Sequence, residues 1–166
     1  MASSSSSFPS SFSISSTSQW KYDVFLSFRG EDTHNTAIDF LNYALEWRGI
    51  YTFKDDEKLE KGKTIKPELL KAIEESRFVV VILSENYASS TWCLEELVKI
   101  IDYKKEKGMI VAPIFNKVDP SDVWKQMGTF TQAFVEHEKQ FKEKVSTWRA
   151  ALSHVANIAG YHVNNK

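Results

Sequence analysis

The chain carries a single cysteine, Cys93, in 166 residues. One thiol excludes an internal disulfide and a cysteine metal cluster, and it fits a reducing compartment. No charge sign dominates either. Lys and Arg number 21 against 22 Asp and Glu, a formal net charge of −1 at pH 7. A nucleic-acid module would have a basic footprint, so nucleic acid is not an expected partner. No apolar run approaches the roughly 20 residues that cross a bilayer. No membrane partner is therefore expected, and the chain should be soluble and intracellular. The histidines, His34, His137, His154 and His162, have no ligand spacing, so no metal is expected. The last three read as surface groups. There is no internal repeat.

Residues 1–19 lack any charged side chain, are dominated by serine, and offer only Phe8, Phe12 and Ile14 as bulky apolar groups. Such a stretch cannot bury enough surface to offset its ordering entropy. It has neither the continuous apolar core of a secretory signal nor the arginines of a transit peptide. It reads as a disordered leader. The remainder is long enough for one domain with a sizeable core, placed at residues 20–163 with a tail at 164–166.

What that domain does have is alternation of apolar runs with helical patterns, the signature of a parallel sheet covered on both faces. Residues 22–28 read as the first strand. Residues 35–47 read as a helix, with Ile38, Leu41 and Leu45 inward and Gly49 beyond its end. A short strand at 50–53 and a charged loop at 54–63 follow, and Pro67 opens a helix with Leu69, Leu70 and Ile73 inward. The unbroken apolar run 78–83 is the central strand. A helix at 92–107 stops at Gly108, and a strand at 109–115 leads into a loop containing Pro120. Helices at 130–138 and 141–159 close the chain, the latter with Trp148, Leu152, Val155 and Ile158 inward. These parts assemble naturally as an α/β, flavodoxin-like three-layer sandwich: a doubly wound parallel sheet of about five strands flanked by helices.

In that topology the strand order reverses between the first and third strands, opening a crevice at their carboxyl ends. The loops meeting there are 29–33 and 84–91. Ser90 or Thr91 can cap the helix leaving the second loop. At 100° per residue, Leu94, Leu97, Val98 and Ile101 share one face, and Trp92 and Glu96 lie opposite, pointing away from the core. Topology thus brings Arg29, Gly30, Trp92 and Glu96 into one neighbourhood. Blander readings exist for each. A Glu in an opening turn complements the helix dipole, and Trp92 can cover a sheet edge. Arg29 can pair at the surface with Glu31 or Asp32.

Three separated blocks go further. They are Tyr22-Asp23-Val24-Phe25-Leu26-Ser27-Phe28-Arg29-Gly30-Glu31-Asp32-Thr33, then Trp92-Cys93-Leu94-Glu95-Glu96-Leu97, then Val111-Ala112-Pro113-Ile114-Phe115 with Val118-Asp119-Pro120-Ser121-Asp122-Val123. Together and in this order they closely resemble the signature blocks of plant TIR domains, the N-terminal signalling modules of disease-resistance receptors. The resemblance covers roughly residues 20–163, and three motifs agreeing in order is a strong signal.

That resemblance implies the flavodoxin-like fold and cleavage of NAD⁺ or NADP⁺ at the nicotinamide–ribose bond, with Glu96, not Glu95, as the essential carboxylate. NAD⁺ or NADP⁺ is then substrate, and no cofactor is implied. One carboxylate suffices. Ordinary glycosidases need a second group to protonate the leaving oxygen, whereas nicotinamide leaves from a cationic pyridinium. What remains is to stabilise an oxocarbenium-like ribose, by electrostatics or transient bonding. Arg29 would hold the diphosphate with its planar fork, Gly30 would let the backbone approach, and Trp92 would wall the nicotinamide pocket.

The charged loop, with Asp55, Asp56, Lys61 and Gly62, resembles the family's BB loop, which joins neighbouring domains into assemblies. A solvated loop is the bland alternative. Homotypic or heterotypic association with other TIR domains, through Asp39 and Phe40 among others, is the implied partnership, in the cytoplasm or the nucleus, serving innate immune signalling and cell death. The chain departs from its relatives at several positions. His34 stands where they have Arg, Phe40 where they have His, Asn116 for a common Tyr, and Trp124 for a common Arg. A non-catalytic TIR–TIR adaptor is therefore the competing function. A phosphoacceptor receiver domain shares the fold class, but this chain has Ser84-Glu85 where a receiver needs its Asp.

Overall fold

The computed structural model describes residues 20–30, 37–54 and 67–163. In chain order the elements are β1 (Tyr22–Ser27), α1 (Ala37–Trp47), β2 (Thr52–Lys54), α2 (Pro67–Glu74) and β3 (Ser76–Leu83). After a 3₁₀ turn at Tyr87–Ser89 come α3 (Thr91–Lys107), β4 (Ile110–Asn116), α4 (Pro120–Lys125), α5 (Thr129–Gln140), α6 (Lys142–Ala156) and β5 (Tyr161–Val163). The five strands form one sheet in the order β2-β1-β3-β4-β5, all parallel. This is the doubly wound, flavodoxin-like arrangement expected from the alternation of patterns, with the order reversing at β1 and β3.

Register explains where the core lies. Phe25 pairs with Val79, Ser27 with Val81, and Val79, Val81 and Leu83 with Val111, Pro113 and Phe115. Residues paired this way share a face. On that face the strands pack with Leu69 and Ile73 of α2, Leu94, Leu97 and Ile100 of α3, Phe130 and Phe134 of α5, and Trp148, Leu152 and Val155 of α6. A right-handed crossover from β1 to β2 puts α1 on the opposite face, over Val24 and Leu26, which are buried outside that cluster.

Local chemistry sets several boundaries. Ser90, not Thr91, caps α3, its Oγ accepting from the Cys93 amide at 3.1 Å. Gly108 ends that helix in the left-handed region at φ 72°, as a Cβ-free residue readily does. The segment around Pro120, expected as loop, is α4. Asp119 caps it by accepting from the Ser121 amide at 2.8 Å, and Pro120 sits at the first turn. β5 was not placed by the sequence. It docks on β4 because of Gly160, where an added Cβ would strike the Pro113 carbonyl and come within 2.7 Å of its Cγ.

Candidate functional site

The carboxyl ends of β1 and β3 lie side by side, with Ser27 opposite Val81. The chain leaves β1 through Phe28, Arg29 and Gly30, and leaves β3 through residues 84–90. That second connection is not the plain polar loop expected. Its 3₁₀ turn buries Tyr87 and Ala88 under α3. Two contacts close the junction. The Cys93 thiol donates to the Phe28 carbonyl at 3.6 Å, and the Tyr87 hydroxyl meets Ser27 Oγ at 2.9 Å. Arg29 and Gly30 are thereby brought to the start of α3, as topology requires.

Glu96 is where the structure departs most from the sequence reading. It is only 2% exposed, and Trp92, half-buried, packs against the core. Neither points away from it. The buried face of α3 extends beyond the Leu94, Leu97 and Ile101 line to Cys93 and Ile100. Cys93 and Ile100, both buried, lie three before and four after Glu96 and put it on a covered line, whereas Val98 is half-buried. α3 is enclosed because β1 and the 3₁₀ turn flank its start and α6 runs along its length. Glu96 also falls in the second turn, since no acidic residue occupies the first. The helix dipole, felt mainly within a single turn, is a weak account of it. Glu95 has a plain structural role: its Oε1 accepts from Lys144 Nζ of α6 at 2.7 Å.

The other expected residues are spread more widely. Arg29 is half-buried beside Phe28. Gly30 is half-buried too, and an added Cβ would meet the Phe28 ring at 3.9 Å, an ordinary contact. No described neighbour therefore demands glycine there. Asp39 is half-buried on α1, and Phe40 is 74% exposed. Asp55, Asp56, Lys61 and Gly62 lie outside the described residues, as does His34. Trp124 is exposed at the end of α4, with Lys125 Nζ over its ring.

Sequence reasoning missed three polar groups around the site. Ser27 and Tyr87 are fully buried, and His137 is 2% exposed rather than a surface group. His137 shares the inward face of α5 with Phe134, and its Nε2 lies 2.7 Å from the Ala88 carbonyl. It thus ties α5 to the turn that carries Tyr87. The available signals were the Tyr87-Ala88 pair inside a polar segment, and the spacing of Phe130, Phe134, His137 and Phe141. A histidine at three and four residues from aromatics sits on their face.

Comparison with known proteins agrees with this architecture. The profile described as TIR domain matches residues 21–166. The chain is 56% identical over 162 residues to "Disease resistance protein RPV1" of Vitis rotundifolia, covering 98% of this chain and 11% of that protein. It is 54% identical over 151 residues to "TMV resistance protein N" of Nicotiana glutinosa, covering 89% of this chain and 13% of that one. The chain thus spans about an eighth or less of the length of these relatives. Among solved structures, the TIR domains of the activated Roq1 resistosome recognizing the pathogen effector XopQ superpose with a TM-score of 0.78 at 53% identity. That match covers 86% of this chain and 88% of the other.

Proposed function

From its membership of the TIR-domain family, we propose that this chain cleaves the nicotinamide–ribose bond of NAD⁺ or NADP⁺, with Glu96 as the catalytic group. The observation that carries the reading is the placement of Glu96. Its carboxylate is buried on α3, beside the carboxyl ends of β1 and β3, where doubly wound sheets keep their ligands. Its neighbour Glu95 is engaged by Lys144.

The chemistry follows from one carboxylate. A dinucleotide enters with its pyridinium already cationic, so the leaving group departs as neutral nicotinamide without a general acid. Positive charge then develops on the ribose. A carboxylate held in a water-poor setting stabilises that charge more strongly than one in solvent. Water adds to the anomeric carbon and loses a proton to complete hydrolysis. Arg29 supplies a planar donor fork for the diphosphate, and Trp92 supplies an aromatic wall.

In this reading the domain acts on assembly with other TIR domains, in the cytoplasm or nucleus, to promote immune signalling and cell death. Concentrated protein incubated with NAD⁺ should release nicotinamide, and Glu96→Ala should not. Absence of release from the wild-type protein, or equal release from both, rejects the proposal.

A second reading, a non-catalytic TIR–TIR adaptor, draws on one surface. Phe40, Tyr43 and Trp47 project from one side of α1 with exposures of 74%, 64% and 79%, and the rings of Tyr43 and Trp47 stack at 6.4 Å. Such an aromatic stripe suits a protein partner.

A further inference from the structure

We infer that Ser27 and Tyr87 form a hydroxyl chain that positions the Glu96 carboxylate, by fixing the first turns of α3 against the end of β1. This rests on the reading of Glu96 as the catalytic group.

The chain has a direction. A carbonyl oxygen can only accept, so the Tyr87 hydroxyl donates to the Cys93 carbonyl, 3.3 Å away. The single phenol proton is then committed, and Ser27 Oγ donates to the phenol oxygen at 2.9 Å. Hydrogen bonds in series polarise one another. The acceptor at the end belongs to Cys93, three residues before Glu96 and on the same side of the helix. A strand end, a 3₁₀ turn and a helix are thus joined at a point one turn from the carboxylate.

Electrostatics agree with the geometry. Burial holds the Tyr87 phenol well above its usual ionisation range, and the neighbouring Cys93 and Glu96 push in the same direction. Glu96 therefore lies close enough to act on the phenol through the low-dielectric interior.

Stability alone does not call for these hydroxyls. Tyr87 sits in a cluster built mostly from aliphatic and aromatic side chains, with Cys93 and Met109 among them. Replacing both partners of a buried hydrogen bond by apolar groups of like shape is close to neutral. What the pair adds is a defined distance between β1 and α3, and a catalytic carboxylate needs that distance held to a fraction of an ångström.

The test uses the double variant Ser27→Ala/Tyr87→Phe, which removes both hydroxyls together and takes from the Cys93 carbonyl only its 3.3 Å bond from Tyr87, with each single variant and Tyr103→Phe as a control on α3. With NAD⁺, the double variant should keep its melting temperature within a few degrees and its KM within about twofold, while kcat falls about tenfold or more. Independently of turnover, the carboxyl carbon resonance of Glu96 should move by more than its linewidth in the double variant and stay in place in Tyr103→Phe. An unmoved resonance overturns the positioning role, as does a loss of kcat that merely tracks loss of folded protein in all three variants. Should the wild-type protein release no nicotinamide, the hydrolase reading falls, and the resonance still decides whether the hydroxyl chain sets the carboxylate.

Discussion

At the scale of single residues, the carboxylates Glu95 and Glu96 are adjacent in sequence and opposite in circumstance. Glu95 is paired with Lys144 near the surface, and Glu96 is buried. Replacing Glu95 by Gln should cost about 1 kcal/mol or less, because partly exposed ion pairs are worth little. A thermal melt checks this. Removing the Ser90 cap by Ser90→Ala should cost about 1 kcal/mol of stability, and it would also loosen the turn before the site. His154 gives a pH prediction. Burial, and behind it Lys104 and Lys105, hold its pKa below the ordinary 6.5. The unfolded chain then binds a proton more readily than the folded one, so this contribution to stability is present above about pH 6.5 and is lost as pH falls below it. Melting temperatures measured between pH 7.5 and 5 should fall with acidification, and His154→Gln should flatten part of that fall. An unchanged slope in the variant would contradict the assignment.

Among the elements, α1 and β5 carry the clearest tests. The exposed stripe Phe40, Tyr43 and Trp47 contributes little to folding, since surface substitutions usually shift stability by under about 0.5 kcal/mol. Phe40→Ala/Trp47→Ala should therefore leave the melting temperature almost unchanged and weaken self-association about tenfold, read by sedimentation equilibrium. Retained association would remove α1 from the interface. For β5 the controlling position is Gly160, pressed against Pro113. Gly160→Ala should cost roughly 1–3 kcal/mol by overpacking. It should also expose the Lys117 amide, which donates to the Val163 carbonyl at 2.8 Å, to faster hydrogen exchange. The elements also mark what was legible in the sequence. β3 and α3 were plain, because an unbroken apolar run and a capped helix ending at glycine have strong local signals. α4 and β5 were not. The six residues behind Asp119 are too short to show a period, and the three residues of β5 are held by pairing with Ile114, Phe115 and Asn116, distant in sequence.

For the whole molecule, topology was readable and enclosure was not. Alternating patterns imply the strand order, and the order implies a crevice where β1 and β3 part. Arg29, Trp92 and Glu96 fall at that end of the sheet by topology alone. The depth at which Glu96 is covered has no such local signal, because it depends on the 3₁₀ turn, on β1 and on α6 packing around α3 together. Hydroxyls such as Ser27 and Tyr87 carry no periodic signal at all, and become visible only when two strand ends and a helix meet. The measurement that bears most directly on the whole account compares Glu96→Gln with Glu95→Gln, two variants of equal size and charge change one residue apart. With NAD⁺ and concentrated protein, Glu96→Gln should stop nicotinamide release while Glu95→Gln retains it. Loss of release in Glu95→Gln with survival in Glu96→Gln, or equal rates in the two, would contradict the account.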